Sequence, residues 1–217
     1  MKKFPDFSMA FDYENGYYLT CSVDRIKKLV AQLELFRKSL NVSGNIVECG
    51  VFKGVSFSRL ALFRDVFSQQ QKKLIGFDTF KAYYDGSSWF PDDALRVKNL
   101  TDNAGTRCIT KEQMTASFMS RSIFNFELIE GDVLNTIPKY VRENARMRIS
   151  FLHLDLDFYE PSLTALKYLF PMMSVGGIVM FDDYGVYDGE TLAINEYLGK
   201  DFVRKEDLYG LGYVVKE

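Results

Sequence analysis

Two stretches of this sequence end in closely spaced carboxylates. "FLHLDLDFYEP", residues 151–161, carries Asp155 and Asp157 behind a run with apolar residues at alternate positions. "VMFDDYG" carries Asp182 and Asp183 behind a similar run. Four carboxylates near one another repel unless they are protonated or neutralised by a cation. An all-oxygen donor set suits a hard ion, magnesium or calcium, rather than zinc. Three carboxylates, Asp155, Asp182 and Asp183, can hold magnesium and leave positions for water or substrate. Magnesium with open positions binds two neighbouring hydroxyls of a sugar or catechol, orients the acceptor oxygen and lowers its pKa. A nearby base then removes the proton, and Asp157 is either that base or an extra ligand. Asp155 and Asp157 are therefore the candidate catalytic residues. "DLD" is also a DxD, the motif with which glycosyltransferases bind a divalent metal and a sugar diphosphate. Against that reading, no basic pair is placed to grip the diphosphate. His153, the chain's only histidine, faces the same way as the two aspartates by the period of a strand. It reads as a satisfied core residue. Tyr159, Glu160 and Pro161 read as a helix start, with an acid in the first turn and proline near its first position.

A second constellation lies upstream. "VECGVFKGVS" sets Gly50 and Gly54 between a strand and a helix, at GxxxG spacing. A pyrophosphate loop would have GxGxxG. Glu48, two residues before the first glycine, disfavours a phosphate and is compatible with a cationic ligand. Gly50 allows a tight turn and Gly54 a close backbone approach. Asp78 ends the next strand, where an acid accepts hydrogen bonds from ribose hydroxyls. Asp132, after Gly131, ends the third strand and can take an adenine amino group. An adenosine bearing a sulfonium, S-adenosylmethionine, satisfies all three observations. The candidate cofactor-binding set is Glu48, Gly50, Gly54, Ser56, Asp78, Thr79 and Asp132.

The elements that must position these residues are short apolar runs alternating with amphipathic helices. Residues 1–20 read as aromatic-rich and irregular. A helix is expected from Ser22 or Val23 to about Leu40, with Arg25, Lys27 and Lys28 on a solvated face. "IVECGV" is a strand, 55–67 a helix, and "KLIGFDTF" a strand. Residues 80–108 form a long polar and aromatic connection with only short helical pieces. Helices near 111–121, 134–143, 159–170 and 189–198 separate the strands "FNFELIEGD", "RISFLHLDLD" and "SVGGIVMFDDY". "DFVRKEDL" and "GLGYVVKE" close the chain as a hairpin. This order predicts an α/β fold: a doubly wound, Rossmann-like, mostly parallel sheet with a C-terminal antiparallel hairpin. Ligands bind such sheets beyond the carboxyl ends of the strands, where six of the acids named above lie. A single domain over 1–217 is expected. The aromatic arm, 1–21, and the 80–108 segment, particularly 80–93, are candidates for a lid, an acceptor-binding insertion or a dimer contact.

"IVECGVFKGVSFSRLA", "GFDTF", "EGDVLNTIP" and "LDLDFYEPSLTALKYLFPMMSVGGIVMFDDYG" resemble, in order, the blocks of the macrocin O-methyltransferase (TylF-type) family. The resemblance runs from about Tyr17 to Gly185, and its last two blocks are the most specific. It implies a class I S-adenosylmethionine-dependent methyltransferase acting on sugar hydroxyls of natural products. It also implies Asp155, Asp182 and Asp183, on adjacent strands, as the metal ligands. The acceptor class is a sugar of a natural product or cell-surface glycan precursor first, and a phenol or catechol second. The alternatives are a DxD glycosyltransferase and a non-catalytic S-adenosylmethionine-binding scaffold. The intact acid set argues against the scaffold.

Composition narrows the partners. Hydrophobic residues make up 47% of the 217 residues and aromatics 15%, which argues against disorder. The net charge of -2 lacks the basic excess of a nucleic-acid binder. Cys21, Cys49 and Cys108 are widely spaced, without CxxC, and suggest neither a zinc knuckle nor a disulfide framework. No apolar run approaches the ~18 residues of a membrane span, and "MKKFPDFSMAF" lacks an apolar secretion core. A cytoplasmic enzyme is expected, with a small hydroxylated acceptor as partner and homo-oligomerisation possible.

Overall fold

The computed structural model describes residues 6–81 and 91–217. Its helices are α1 (Ala10–Thr20), α2 (Val23–Lys38), α3 (Val55–Val66), α4 (Pro91–Ala104), α5 (Lys111–Ser120), α6 (Val133–Glu143), α7 (Tyr159–Leu169) and α8 (Asp188–Leu198). Its strands are β1 (Asn45–Cys49), β2 (Leu74–Asp78), β3 (Phe126–Glu130), β4 (Ile149–Leu154), β5 (Met173–Phe181), β6 (Arg204–Lys205) and β7 (Gly212–Val215). They form one seven-stranded sheet in the order β3-β2-β1-β4-β5-β7-β6. The first five strands pair in parallel and β7 runs antiparallel to both β5 and β6. The mostly parallel sheet and its antiparallel end match the expectation from sequence.

The central strands are apolar because helices cover both faces. All six residues of β4 are buried. On one face Phe151 packs with Leu35 and Phe36 of α2, Phe57 of α3 and Phe118 of α5. On the other, Leu152 and Leu154 pack with Ile137 of α6, Leu166 of α7 and Ile194 of α8. The strand alternation therefore points His153 toward α2 and α3, where an apolar residue would be ordinary. Chain order reverses between β1 and β4, which opens a crevice at the carboxyl ends of these two strands.

Two sequence expectations are corrected. The leader is not irregular: residues 10–20 form α1, none of whose residues is buried. "AFDYENGYYLT" conceals the helix because it has no apolar stripe and contains Gly16. Asn15 and Thr20 hydrogen-bond back to the carbonyls of Phe11 and Gly16. The 80–108 connection is not limited to short helical pieces, since α4 runs for fourteen residues. Asp93 of α4 is fully buried and accepts the N–H groups of Asp188 and Gly189 at 2.8 Å each, so one helix caps the start of another. The remainder of that connection, residues 82–90, and residues 1–5 of the leader lie outside the described residues.

Candidate active site

A cavity of about 690 Å³ opens at the crevice, walled by the loops after β1, β2, β4 and β5 and by residues of α2, α3 and α4. Gly50 begins its floor with φ +91°, and a Cβ there would lie 1.7 Å from the carbonyl oxygen of Asp155. The glycine is required by a neighbouring strand end. Gly54, φ +79°, starts α3, and a Cβ there would meet the Met114 sulfur at 2.8 Å. The close approach at Gly54 is thus to α5. One oxygen of Asp78 accepts the N–H groups of Val51 (2.7 Å) and Phe52 (2.9 Å), and the other accepts that of Phe80 (2.7 Å). These bonds hold Phe52 at φ +47°, so the acid that ends β2 shapes the glycine loop of β1. Asp78, Thr79 and Asp132 line the cavity. Asp132 also caps α6 through the N–H of Leu134 at 2.9 Å.

Behind this floor runs a chain of charge whose inner members, Glu48 and His153, are fully buried and whose outer members, Asp182 and Lys28, line the cavity. Glu48 and His153 are register partners on β1 and β4. His153 Nδ1 lies 3.3 Å from Glu48 Oε2, and its Nε2 lies 3.3 Å from Asp182 Oδ1. Ser56 donates to the other Glu48 oxygen at 2.7 Å. The second oxygen of Asp182 pairs with the ammonium of Lys28. Burial alone would lower the His153 pKa, but Asp182 and Glu48 outweigh it and push it up to about 10. Burial pushes the Glu48 carboxyl up, against the pull of His153. Burial would also raise Asp182, yet His153 and Lys28 hold it below the usual carboxylate range. Lys28 is raised despite its own burial by Asp182 and Asp155. His153 thus lies between two carboxylates, with its Nδ1 and Glu48 Oε2 facing each other without a formed hydrogen bond, and Lys28 belongs to the site instead of a solvated helix face. Glu48 and Gly54, expected at the cofactor, do not line the cavity. Glu48 acts on it through Ser56.

The other acids gather beside this chain. Asp155, Asp157 and Asp183 each offer a carboxylate oxygen within 4.8 Å of one another, and Asp155 also groups with His153 and Asp182. Two overlapping groups thus share Asp155. Burial, then the charge of Asp182, raises the carboxyls of Asp155 and Asp183 well above their ordinary value. Asp157 adopts φ +60°, a left-handed conformation uncommon outside glycine, in which asparagine and aspartate are the usual exceptions. Glu190 of α8 supports it. Fully buried, its carboxylate accepts from Leu156 and Asp157 at 3.3 and 3.2 Å, and from Asp183 at 3.4 Å. Burial and the nearby Asp157 push Glu190 up to about 8. Sequence reading missed Glu190 because an acid in the first turn of a helix is ordinary.

A doubly wound sheet whose carboxyl edge carries a glycine loop, a following acid and a converging acid set defines a class I methyltransferase. The chain belongs to the macrocin O-methyltransferase (TylF) family, whose model matches residues 13–208. It is 26% identical over 162 residues to a tetracenomycin rhamnosyl 4'-O-methyltransferase of Streptomyces olivaceus. It is 24% identical over 163 residues to demethyldecarbamoylnovobiocin O-methyltransferase of Streptomyces niveus. Those matches cover 73% and 74% of this chain but only 59% and 60% of the relatives, about three fifths of their length. Among solved structures, the calicheamicin methyltransferase CalS11 superposes with a TM-score of 0.70 at 26% identity, over 95% of this chain and 85% of that one. The O-methyltransferase NovP gives a TM-score of 0.71 at 22% identity, over 88% and 80%, and supports the fold. The family membership sets aside the glycosyltransferase reading of "DLD".

Proposed function

We propose that this protein is an S-adenosylmethionine-dependent, magnesium-assisted O-methyltransferase acting on a sugar hydroxyl of a glycosylated small molecule or glycan precursor. The observation that carries the reading is the convergence of Asp155, Asp157 and Asp183 on the cavity floored by Gly50 and Asp78. The sugar-bearing acceptor follows the described activity of the relatives, among them a rhamnosyl 4'-O-methyltransferase.

The donor set fits a divalent ion. Its atoms are hard oxygens within one coordination sphere's reach, and its carboxyls sit high for want of positive charge. Asp155 and Asp183 would hold the ion, with Asp157 as the third oxygen nearby. Asp182, the remaining expected ligand, is shared with Lys28 and His153 and joins only in competition with Lys28. Magnesium, when bound, lowers the pKa of an acceptor hydroxyl. Asp157 accepts the proton that the hydroxyl gives up as its oxygen takes the methyl group. Glu190 fixes the backbone from which that carboxylate projects. Asp78 and Thr79, which line the cavity, would accept from the donor's ribose, and Asp132 would take its adenine. Val133 and Leu134 supply an apolar wall on the same side of the cavity. α1 would form part of a lid, since Tyr17 lies against the cavity-lining Arg59.

Calorimetric titration with S-adenosylhomocysteine, with and without magnesium, tests the donor site. Methyl transfer to rhamnosides and nucleotide-linked rhamnose tests the acceptor. Binding of UDP-sugar with manganese, in place of S-adenosylhomocysteine, would overturn the reading.

A further inference from the structure

An amino acid carries two charges, and the expected site residues address only one of them. The acidic loops offer carboxylates to the ammonium of the donor's methionine end, but nothing assigned so far meets its α-carboxylate. Of the four cations that line the cavity, Lys53 reaches the Ala104 carbonyl and Lys28 pairs with an acid, which leaves Arg25 and Arg59 for the carboxylate. Ser56 and Arg59 lie one helical turn apart on α3, and Arg25 and Lys28 one turn apart on α2; all four line the cavity. Lys28 is taken by Asp182. Arg59 donates to Gln32 Oε1 at 3.0 Å, and among the described residues neither Arg25 nor Arg59 forms an ion pair. The two guanidiniums repel each other, and burial followed by Arg25 lowers the Arg59 pKa. The Tyr17 hydroxyl lies against Arg59, buried and without a well-formed hydrogen bond. Two arginines on one cavity wall, Arg25 exposed and Arg59 anchored on Gln32, beside a buried hydroxyl without a hydrogen-bond partner, are the complement of an anion.

We propose that Arg59 and Arg25 bind the α-carboxylate of S-adenosylmethionine, with Ser56 on the same helical face. The inference rests on the donor reading above and adds the residues that recognise its amino-acid end. It also separates the donor from nucleosides that lack a carboxylate, which the ribose and adenine contacts alone would not do.

The test compares S-adenosylhomocysteine with S-adenosyl-3-thiopropylamine, the same molecule without its carboxylate, by calorimetric titration. Wild-type protein is expected to bind the first about ten- to a hundredfold more tightly, the worth of a charge-assisted contact. Arg59→Met should reduce that preference to within about threefold by weakening S-adenosylhomocysteine alone. Arg59→Lys should restore part of it, and Arg25→Gln should reduce it independently if Arg59→Met fails to fold. A preference unchanged in the variants, or equal weakening of both compounds, overturns the assignment. So does arginine-dependent binding of inorganic pyrophosphate to S-adenosylhomocysteine-saturated protein, which would give the pair to an anionic acceptor. Wild-type protein that binds neither adenosine compound overturns the donor reading itself.

Discussion

Lys28 already occupies one oxygen of Asp182, so any divalent ion using that oxygen must displace an ammonium. Lys28→Met is therefore expected to tighten manganese binding several-fold, measured by titration calorimetry on protein without substrates. Unchanged or weaker manganese binding would show that Lys28 does not compete. Glu190 acts in the opposite sense, holding two loops together through three backbone N–H groups. Glu190→Ala leaves those donors buried and should destabilise the protein by about 3 kcal/mol in denaturant unfolding. Methyl transfer should fall on the order of a hundredfold, because Asp157 loses its left-handed backbone. The sequence announces neither residue. "RIKK" places two adjacent lysines on one helix, and only packing separates them. Lys27 pairs with Asp24 at the surface, while Lys28 turns inward to Asp182. By contrast the acids at the strand ends were legible, because a carboxylate directly after an apolar run has no bland place to go.

Among the elements, β1, β2, β4 and β5 were readable from apolar runs, and α2 and α3 from their helical periodicity. α1 and α4 were not. α1 has apolar residues all round and buries none of them, while α4 follows the aromatic and turn-forming stretch "AYYDGSSWF", which masks its start. Yet α4 contributes Leu100 and Ala104 to the cavity and caps α8 through Asp93. Asp93→Ala should cost about 1–2 kcal/mol, the usual loss of a capping carboxylate, read as a lower Tm. Because α8 carries Glu190, the same variant should weaken methyl transfer more than its stability loss alone implies. Activity that follows stability alone would separate α4 from the site.

For the whole molecule, the acid loops concentrate like charge, which the proposed magnesium would relieve. Magnesium at about a hundredfold its Kd should add about 2.7 kcal/mol to unfolding stability. In a chain of this size that raises Tm by roughly 5–10 °C. EDTA should reverse the shift, and a Tm indifferent to both would argue against a metal in this site. No helix among the described residues is long and apolar enough to cross a membrane.

The contact between Gly50 and the Asp155 carbonyl makes one piece of two loops that sequence reading treats separately. Gly50→Ala should yield no folded protein, or cost more than about 4 kcal/mol, since a Cβ cannot share space with that oxygen. The same contact bears on redesign. A glycine loop transplanted from another methyltransferase would arrive with a curvature fitted to a different fourth strand. The two loops are therefore a single exchangeable module, and variation of donor preference that leaves 155–157 untouched is confined to side chains.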